Sequence, residues 1–497
     1  MLTSRMGLAA PAPTAKKHPN ILVIMADDLG YGDLSCYGAK AFKTPHIDAL
    51  ATGGLKFTNG YCSASTCTPT RFSFLTGKYA FRQRGTGIAP PNATALIQPG
   101  VETVASMLKK AGYATGVVGK WHLGLGSKPG PDWNGLLKPG PLEIGFDYCY
   151  LLPTTNDRVP SVYVENHRVA NLDPKDPLWV GRKKPSEDHP TGITERKKLK
   201  MDWSHGHNHT VHNGIGRIGY FTGGTKARWR DEDLADQWVA KSVNWIEKHK
   251  DEPFFLFFSS HDIHVPRMPH ERFHGKTPLG FRGDAIVQLD WCVGELMKTL
   301  KRLKLDKDTL VVFCSDNGPV LDDGYKDGAV TKLGDHKPAG ICKGGKYSTW
   351  EGGTRTPFIS YWPGKIAPGV SEKFVSTIDL ASSFSALAGQ KPTGDALPDS
   401  FNVIDALLGK KDAPGREHIV EQGGGLALRV GDWKLLKGRK PRRRKGKPAP
   451  KNASQYQLYN LKTDPSEKKN VIAENAEIAE KLIKRLTGII AARKTRP

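Results

Sequence analysis

The chain has 497 residues, 38% hydrophobic and 25% charged, a composition ordinary for a globular protein and a length too great for one compact core. Its 73 lysines and arginines stand against 50 acidic residues, a formal charge of +23, and a surface of that sign attracts polyanions. No window holds the ~18–20 consecutive apolar residues of a membrane helix, so no membrane span is expected.

Residues 1–18 read as a disordered lead, and MLTSRMGLAAPAPTAKK contains no apolar core of signal-peptide length. The compartment stays open. Residues 21–26 (ILVIMA) form a short continuous apolar run, as in a strand buried on both faces. Apolar residues at 101, 104, 105, 108 and 111 make a helical stripe, and ATGVVG at 114–119 follows as a strand. Residues 127–230, rich in Gly, Pro, Lys and His, interrupt the alternation and read as loops and short elements covering one face. A helix is expected over 231–248 and a strand at 254–258 (FFLFF). Positions 286, 289, 293, 296, 300 and 303 step by three and four as an amphipathic helix. Strands follow at 309–315 (TLVVFCS) and 357–361. Beyond about residue 400 the pattern becomes short strands at 427–430, 433–436 and 457–460, then a helix over 473–491. The fold class expected is α/β: a large doubly wound mixed sheet sandwiched by helices, with a smaller C-terminal antiparallel sheet plus helix. The domain division is a lead (1–18), a catalytic domain (19–400) and a C-terminal α+β unit (401–497).

Chemistry-bearing residues gather just after the expected strands. Asp27 and Asp28 follow the first strand. Adjacent carboxylates repel unless a cation offsets them, although a helix N-cap is an equal alternative. Asp316-Asn317-Gly318 follows TLVVFCS and alone reads as a turn. Taken with Asp27 and Asp28, it supplies hard oxygen ligands from two strand ends, a set suited to Ca²⁺ or Mg²⁺ and not to zinc. Cys67-Thr68-Pro69-Thr70-Arg71, Gly119-Lys120-Trp121-His122, His261 to Pro266, and Lys346 in GGKYSTWEGGTRTP complete the group. Singly, each is a structural cysteine, a satisfied histidine or a surface lysine. Jointly they bring acids for a metal, cations for an anion and histidines for proton transfer to one sheet edge.

Cys67 to Arg71 resembles the C-x-P-x-R signature of the sulfatase family, within the alkaline phosphatase superfamily. The resemblance continues through the Asp27-Asp28 pair, GKWHLG, the H-x-P segment, SDNG and K-x-x-x-x-E-G-G-x-R, and so covers most of residues 18–365. Thr70 departs from the common serine or alanine but keeps a hydroxyl. GFDYCYLLPTTNDRVPSVYVENHRV and LGDHKPAG are similar to bacterial polysaccharide sulfatases. The resemblance implies an alkaline phosphatase-like fold and hydrolysis of a sulfate monoester on a sulfated saccharide or aryl sulfate. It implies a formylglycine made from Cys67 by a separate formylglycine-generating enzyme. It also implies that Asp27, Asp28, Asp316, Asn317 and the modified Cys67 hold one divalent cation, Ca²⁺ or Mg²⁺. Arg71 then steadies the nucleophile and the carboxylates, and Lys120 and Lys346 bind the sulfate. His264 protonates the leaving oxygen, and His122 is the base for sulfate release. His261 is read as structural support. Substrate selection falls to the covering loops, with Asp157, Arg158, Asp335 and His336 as candidates.

The nearest rival is a phosphoester or phosphonate hydrolase of the same superfamily; a rival of another class is a non-catalytic polyanion-binding protein. KGRKPRRRKGKPAPK at 437–451 is either a solvated hairpin loop or a polyanion tether. It lacks the aromatic interleaving of single-stranded nucleic-acid binding, and no nucleic-acid partner is expected. His205, His207, His209 and His212 fit no ordinary metal spacing, and a histidine-rich sugar-binding loop accounts for them. Of the seven cysteines, Cys292 and Cys314 lie in apolar runs and read as core.

Overall fold

The computed structural model describes residues 18–438 and 455–496. The expected lead, apart from His18, and the basic run beyond residue 438 lie outside the described residues.

Among those residues, ten strands form one sheet. In chain order they are β1 (Asn20–Ala26), β2 (Leu55–Phe57), β3 (Ala114–Lys120), β4 (Tyr148–Leu152), β5 (Val164–Glu165), β6 (Arg168–Val169), β7 (Phe254–Ser259), β8 (Thr309–Ser315), β9 (Phe358–Tyr361) and β10 (Gly369–Ser371). Their order across the sheet is β10-β2-β9-β8-β1-β7-β3-β4-β5-β6. The central five, β8-β1-β7-β3-β4, run parallel, while β9, β5 and β6 pair antiparallel with their inner neighbours. Parallel strands need crossover helices, which cover both faces. That is why NILVIMA shows no polar alternation: Ile21, Val23 and Met25 enter one core, and Leu22, Ile24 and Ala26 the other.

Helices α1 (Pro45–Gly53), α4 (Leu234–Lys248) and α5 (Phe281–Arg302) pack on one face; α2 (Cys67–Thr76), α3 (Val104–Lys110) and α6 (Leu380–Leu387) pack on the other. Helix α5 starts five residues before its apolar stripe because its first turn buries Arg282 and Asp284. Arg282 is bonded to Asp33 at 2.6 Å, and Asp284 accepts from the Gly275 and Thr277 N–H groups.

The loop reading of residues 127–230 is corrected at one place. Residues 148–152 (YCYLL) are a strand of the main sheet, in parallel register with β3. Gly and Pro on either side hid a five-residue run too short to signal its type. The rest of that stretch contains only elements of two or three residues.

The small sheet is antiparallel, β11 (His418–Gln422), β12 (Leu426–Val430), β13 (Trp433–Lys437) and β14 (Tyr456–Asn460). The apolar stripe of α7 (Ala476–Ala491), with Leu482, Leu486 and Ile489, packs on one face. Strand β11 also reaches into the large unit: the Ser65 N–H donates to Gln422 O at 2.7 Å, and the Gln422 N–H to Ser63 O at 3.0 Å. The C-terminal sheet is thereby tied to the segment that leads into Cys67.

Candidate active site

The five parallel strands end at one edge of the sheet, and each delivers functional groups there. Asp27 and Asp28 follow β1, His122 follows β3, Asp157 and Arg158 follow β4, His261 to His264 follow β7, and Asp316 and Asn317 follow β8. Cys67 enters from the side as the first residue of α2. Pro69 is tolerated there because first-turn N–H groups have no intrahelical partner. Cys67 and Arg71, one turn apart, lie on the same side of a helix whose residues are all buried.

The ligating atoms of Asp27, Cys67 and Asp316 lie within 4.8 Å of one another. Arg71 Nε donates to Asp316 Oδ2 at 2.9 Å, and its Nη1 donates to the Lys120 carbonyl at 3.2 Å and to the Ser259 hydroxyl. Asn317 Nδ2 donates to Asp28 Oδ1 at 2.7 Å. Lys120 is paired with Asp27. Lys346 Nζ bridges Asp28 at 2.9 Å and Asp323 at 2.8 Å.

Two observations test whether this set fits a cation. Asp27 Oδ1 and Asn317 Oδ1 are buried acceptors without a hydrogen-bond partner, and such atoms are costly unless something binds them. Burial and the neighbouring Asp316 push the Asp27 carboxyl well above its ordinary range, against the pull of Lys120. Burial would raise Asp316 as well, but Arg71 and Lys120 outweigh it and hold it low. The carboxylate and amide oxygens of Asp27, Asp28, Asp316 and Asn317 give a set of donors and a charge that fit a hard divalent cation. A second acidic group, Asp28, His264 and Asp323, already receives the Lys346 ammonium on both carboxylates, so the chain supplies its own cation there.

The two histidines differ in the proton they can move. His122 Nε2 faces the Ala89 carbonyl at 3.1 Å, and Nδ1 faces Cys67 Sγ at 3.2 Å. A carbonyl only accepts, so Nε2 carries the proton and Nδ1 presents a lone pair to residue 67. Burial, Lys120 and Arg158 hold the ring neutral. His264 Nδ1 faces the Val265 carbonyl at 2.7 Å, which leaves Nε2 bare in the neutral ring. Burial, then Lys346 and Lys120, hold His264 well below its ordinary value. Burial pushes the Cys67 thiol up, against Lys120 and Lys346, so the unmodified cysteine is a poor nucleophile at neutral pH.

Above this cluster, Asp157 is bonded to His207 Nε2 at 2.9 Å and to Arg158 at 3.0 Å. Burial alone would raise its carboxyl, but Arg158 and His207 hold it well below the usual range. His207, from the histidine-rich loop, thus braces a carboxylate. His261 accepts from the Trp238 indole at 3.1 Å. Asp335 and His336 lie elsewhere. They line a cavity of about 1270 Å³ with Tyr31, Lys40, Lys332 and Lys337, and none of Cys67, Lys120, His122, His264 or Lys346 borders it. His336 is bonded to Asp33 at 2.8 Å.

Sequence reasoning passed over Asp323, Ser259 and Asn156. Asp323 sits in LDDGYKDG, which reads as an acidic turn, and its contacts with Lys346 and Tyr347 distinguish it. Ser259 ends a strand that was read for its apolar residues alone. Asn156 Nδ2 donates to the His264 and Pro266 carbonyls, each at 3.2 Å, a bracing role that its sequence context does not signal.

The family model described as Sulfatase matches residues 19–390. A Bacteroides thetaiotaomicron protein named N-acetylgalactosamine-6-O-sulfatase is 50% identical over 485 residues, covering 95% of this chain and 93% of the relative. Human arylsulfatase A is 31% identical over 488 residues, 95% of this chain and 86% of its own length. A solved structure from work on glycosaminoglycan metabolism by Bacteroides thetaiotaomicron superposes with a TM-score of 0.91 at 49% identity, covering 96% of this chain and 100% of its own. With the family matched over most of the chain and the fold shared throughout, the chain belongs to the sulfatase family and is a sulfatase enzyme.

Proposed function

We propose that the chain removes the 6-O-sulfate from an N-acetylgalactosamine or galactose unit of a sulfated saccharide. The observation that carries the chemistry is the meeting of Cys67 Sγ with the Asp27 and Asp316 carboxylates within 4.8 Å, beside the His122 lone pair. The sugar class rests on the relative named N-acetylgalactosamine-6-O-sulfatase.

Asp27, Asp28, Asp316, Asn317 and the modified residue 67 would hold one divalent cation, taken to be Ca²⁺ with Mg²⁺ as the alternative. Once Cys67 is converted by a formylglycine-generating enzyme, its hydrated aldehyde would supply the attacking hydroxyl, and a bound cation would lower the pKa of that hydroxyl and polarise the sulfate oxygens. Arg71 keeps Asp316 ionised and in place. Lys120 and Lys346, each held against a carboxylate, present their remaining N–H groups to the sulfate oxygens and stabilise charge that builds on them. His264, charged once sulfate sits between the two lysines, gives the Nε2 proton to the departing sugar oxygen. His122 Nδ1 takes a proton from residue 67 when sulfate is released. Asp157 and Arg158 face the sugar.

The alternative phosphoester reading is disfavoured by Lys346, whose ammonium fills the place a second metal would take beside Asp28 and Asp323. A screen of the purified, matured protein against 6-O- and 4-O-sulfated galactose and N-acetylgalactosamine, with nitrophenyl sulfate and nitrophenyl phosphate alongside, tests the proposal. Turnover is expected on the 6-O-sulfates and on nitrophenyl sulfate. Preference for the phosphate would overturn the sulfate assignment, and preference for the 4-O-sulfates would overturn the position.

A further inference from the structure

We infer that Tyr347 is a stacking platform for the sugar ring bearing the scissile sulfate, and that it walls the leaving-group side of the site together with Arg158 and Asp323. The inference rests on the proposed saccharide substrate.

Tyr347 directly follows Lys346, a residue 7% exposed, yet is itself 44% exposed. The chain passes from the floor of the site to its mouth within one peptide unit. Its backbone is held at φ 73°, a region that side-chain-bearing residues rarely adopt and that tends to persist where function requires it. Two anchors hold it. Its N–H donates to Ser65 O at 2.8 Å, two residues before Cys67. Its hydroxyl donates to Asp323 Oδ1 at 2.8 Å, while Asp323 Oδ2 accepts from Lys346 at 2.8 Å. The ring centroid lies 5.4 Å from Lys346 Nζ. Arg158 follows β4 at the same sheet edge, where its guanidinium is held by Thr155 Oγ1 at 2.7 Å and Asp157 Oδ1 at 3.0 Å.

An exposed aromatic ring tied at its backbone and at its hydroxyl loses little freedom when a ligand covers it. A pyranose offers it a face of C–H groups, while its hydroxyls reach the polar groups on either side, here Arg158 and Asp323. A sulfate held by Lys346 therefore carries its sugar directly over Tyr347.

The bland alternative is that Tyr347 only orients Asp323, and so Lys346. Tyr347→Phe removes the hydroxyl and keeps the ring; Tyr347→Ala removes both. The experiment compares steady-state kinetics on N-acetylgalactosamine 6-sulfate with competitive inhibition by inorganic sulfate, which fills the anion site and not the sugar site. The expected result is a loss of about tenfold or more in kcat/KM for Tyr347→Ala, falling on KM, with Tyr347→Phe within about threefold of wild type. The Ki for sulfate should be the same in all three. Equal losses in both variants, or a matching rise in the sulfate Ki, would make Tyr347 a strut for Asp323 and overturn the inference. An unchanged KM for Tyr347→Ala would overturn it too. No wild-type turnover on any saccharide sulfate would overturn the substrate class itself, and this inference with it.

Discussion

Among the described residues, two of the buried charge clusters solve the same problem differently. At the strand ends, Asp27, Asp28, Asp316 and Asp323 face Arg71, Lys120 and Lys346. Where the C-terminal sheet meets the large unit, Lys434 Nζ bonds Glu351 at 2.9 Å and Glu421 at 2.8 Å and lies 3.8 Å from Glu467; Arg429 bonds Glu351 at 2.9 Å. Burying carboxylates is costly in both places, and breaking a buried pair costs roughly 3–5 kcal/mol. The interface cluster answers with protons: burial pushes Glu421 and Glu467 up to about 7, with Lys434 opposing. The strand-end cluster raises Asp27 by burial and the neighbouring Asp316, keeps Asp316 low through Arg71 and Lys120, and leaves Asp27 Oδ1 and Asn317 Oδ1 unpartnered beside Cys67. Glu421 Oε1 and Glu467 Oε1 are unpartnered too, but that cluster closes around Lys434 and holds two parts of the protein together. The strand-end cluster opens toward Cys67 and is placed to take a ligand.

The contrast predicts that the open cluster governs rate. Cys67→Ala should cut turnover by about 10⁴-fold or more while the thermal midpoint stays near that of wild type. Active wild-type protein should carry a residue-67 peptide lighter by about 18 Da, the mass change for thiol to aldehyde in the proposed nucleophile. Full activity with an unmodified cysteine would remove the basis of the contrast. Chelation should lower activity by about 10³-fold, with Ca²⁺ or Mg²⁺ restoring it. Asp316→Asn should lose both metal binding and rate. A chelated enzyme that keeps its rate would mean the unpaired oxygens of Asp27 and Asn317 are not cation ligands.

The histidines sharpen the contrast inside the open cluster. His264→Ala should cost about 10²–10⁴-fold on a sugar sulfate and far less on nitrophenyl sulfate, whose leaving group needs no proton. His122→Ala should stop after the first step and accumulate a sulfated residue 67, heavier than the hydrated peptide by about 80 Da under this covalent mechanism. Equal losses on both substrates for His264→Ala, with no adduct for His122→Ala, would reverse or displace the roles.

The open cluster was far more legible in sequence than the closed one. Its members follow apolar runs such as ILVIMA, FFLFFSS and TLVVFCS, and a buried parallel strand directs whatever follows it to one edge. Helix α2 gave no signal: CTPTRFSFLT is buried all round, so no apolar stripe marks it. Strand β11 (HIVEQ) was passed over because it holds only two consecutive apolar residues, Ile419 and Val420, before Glu421, which is buried against Lys434. Ion partners 13 to 83 residues apart leave no local pattern. The strand ends of the open cluster are separated as widely, but each carries its own motif.

The smallest expected effect tests the closed cluster through pH. The ordinary Glu value of 4.5 rises to about 7 for both Glu421 and Glu467 in the folded protein. The folded state therefore binds protons more tightly than the unfolded state. A carboxyl raised in this way contributes its full stability below about pH 4.5 and loses it as pH rises through about 7. The protons belong to the coupled carboxylates and not to one of them, so the measurable quantity is a difference between proteins. Glu421→Gln keeps an oxygen that can accept from Lys434 and the Thr354 hydroxyl, and it removes one titrating group. Between pH 5.5 and 8, wild type should lose on the order of 1–2 kcal/mol more than Glu421→Gln. The difference should appear as faster amide exchange in β11 and β13 and a lower thermal midpoint. Rate per folded molecule, read well below that midpoint, should match wild type, because Glu421 touches none of the strand-end groups. If wild type instead gained stability over this window relative to Glu421→Gln, the interface carboxylates would be ionised pairs held by Lys434 and Arg429. The two clusters would then balance their charge in the same way.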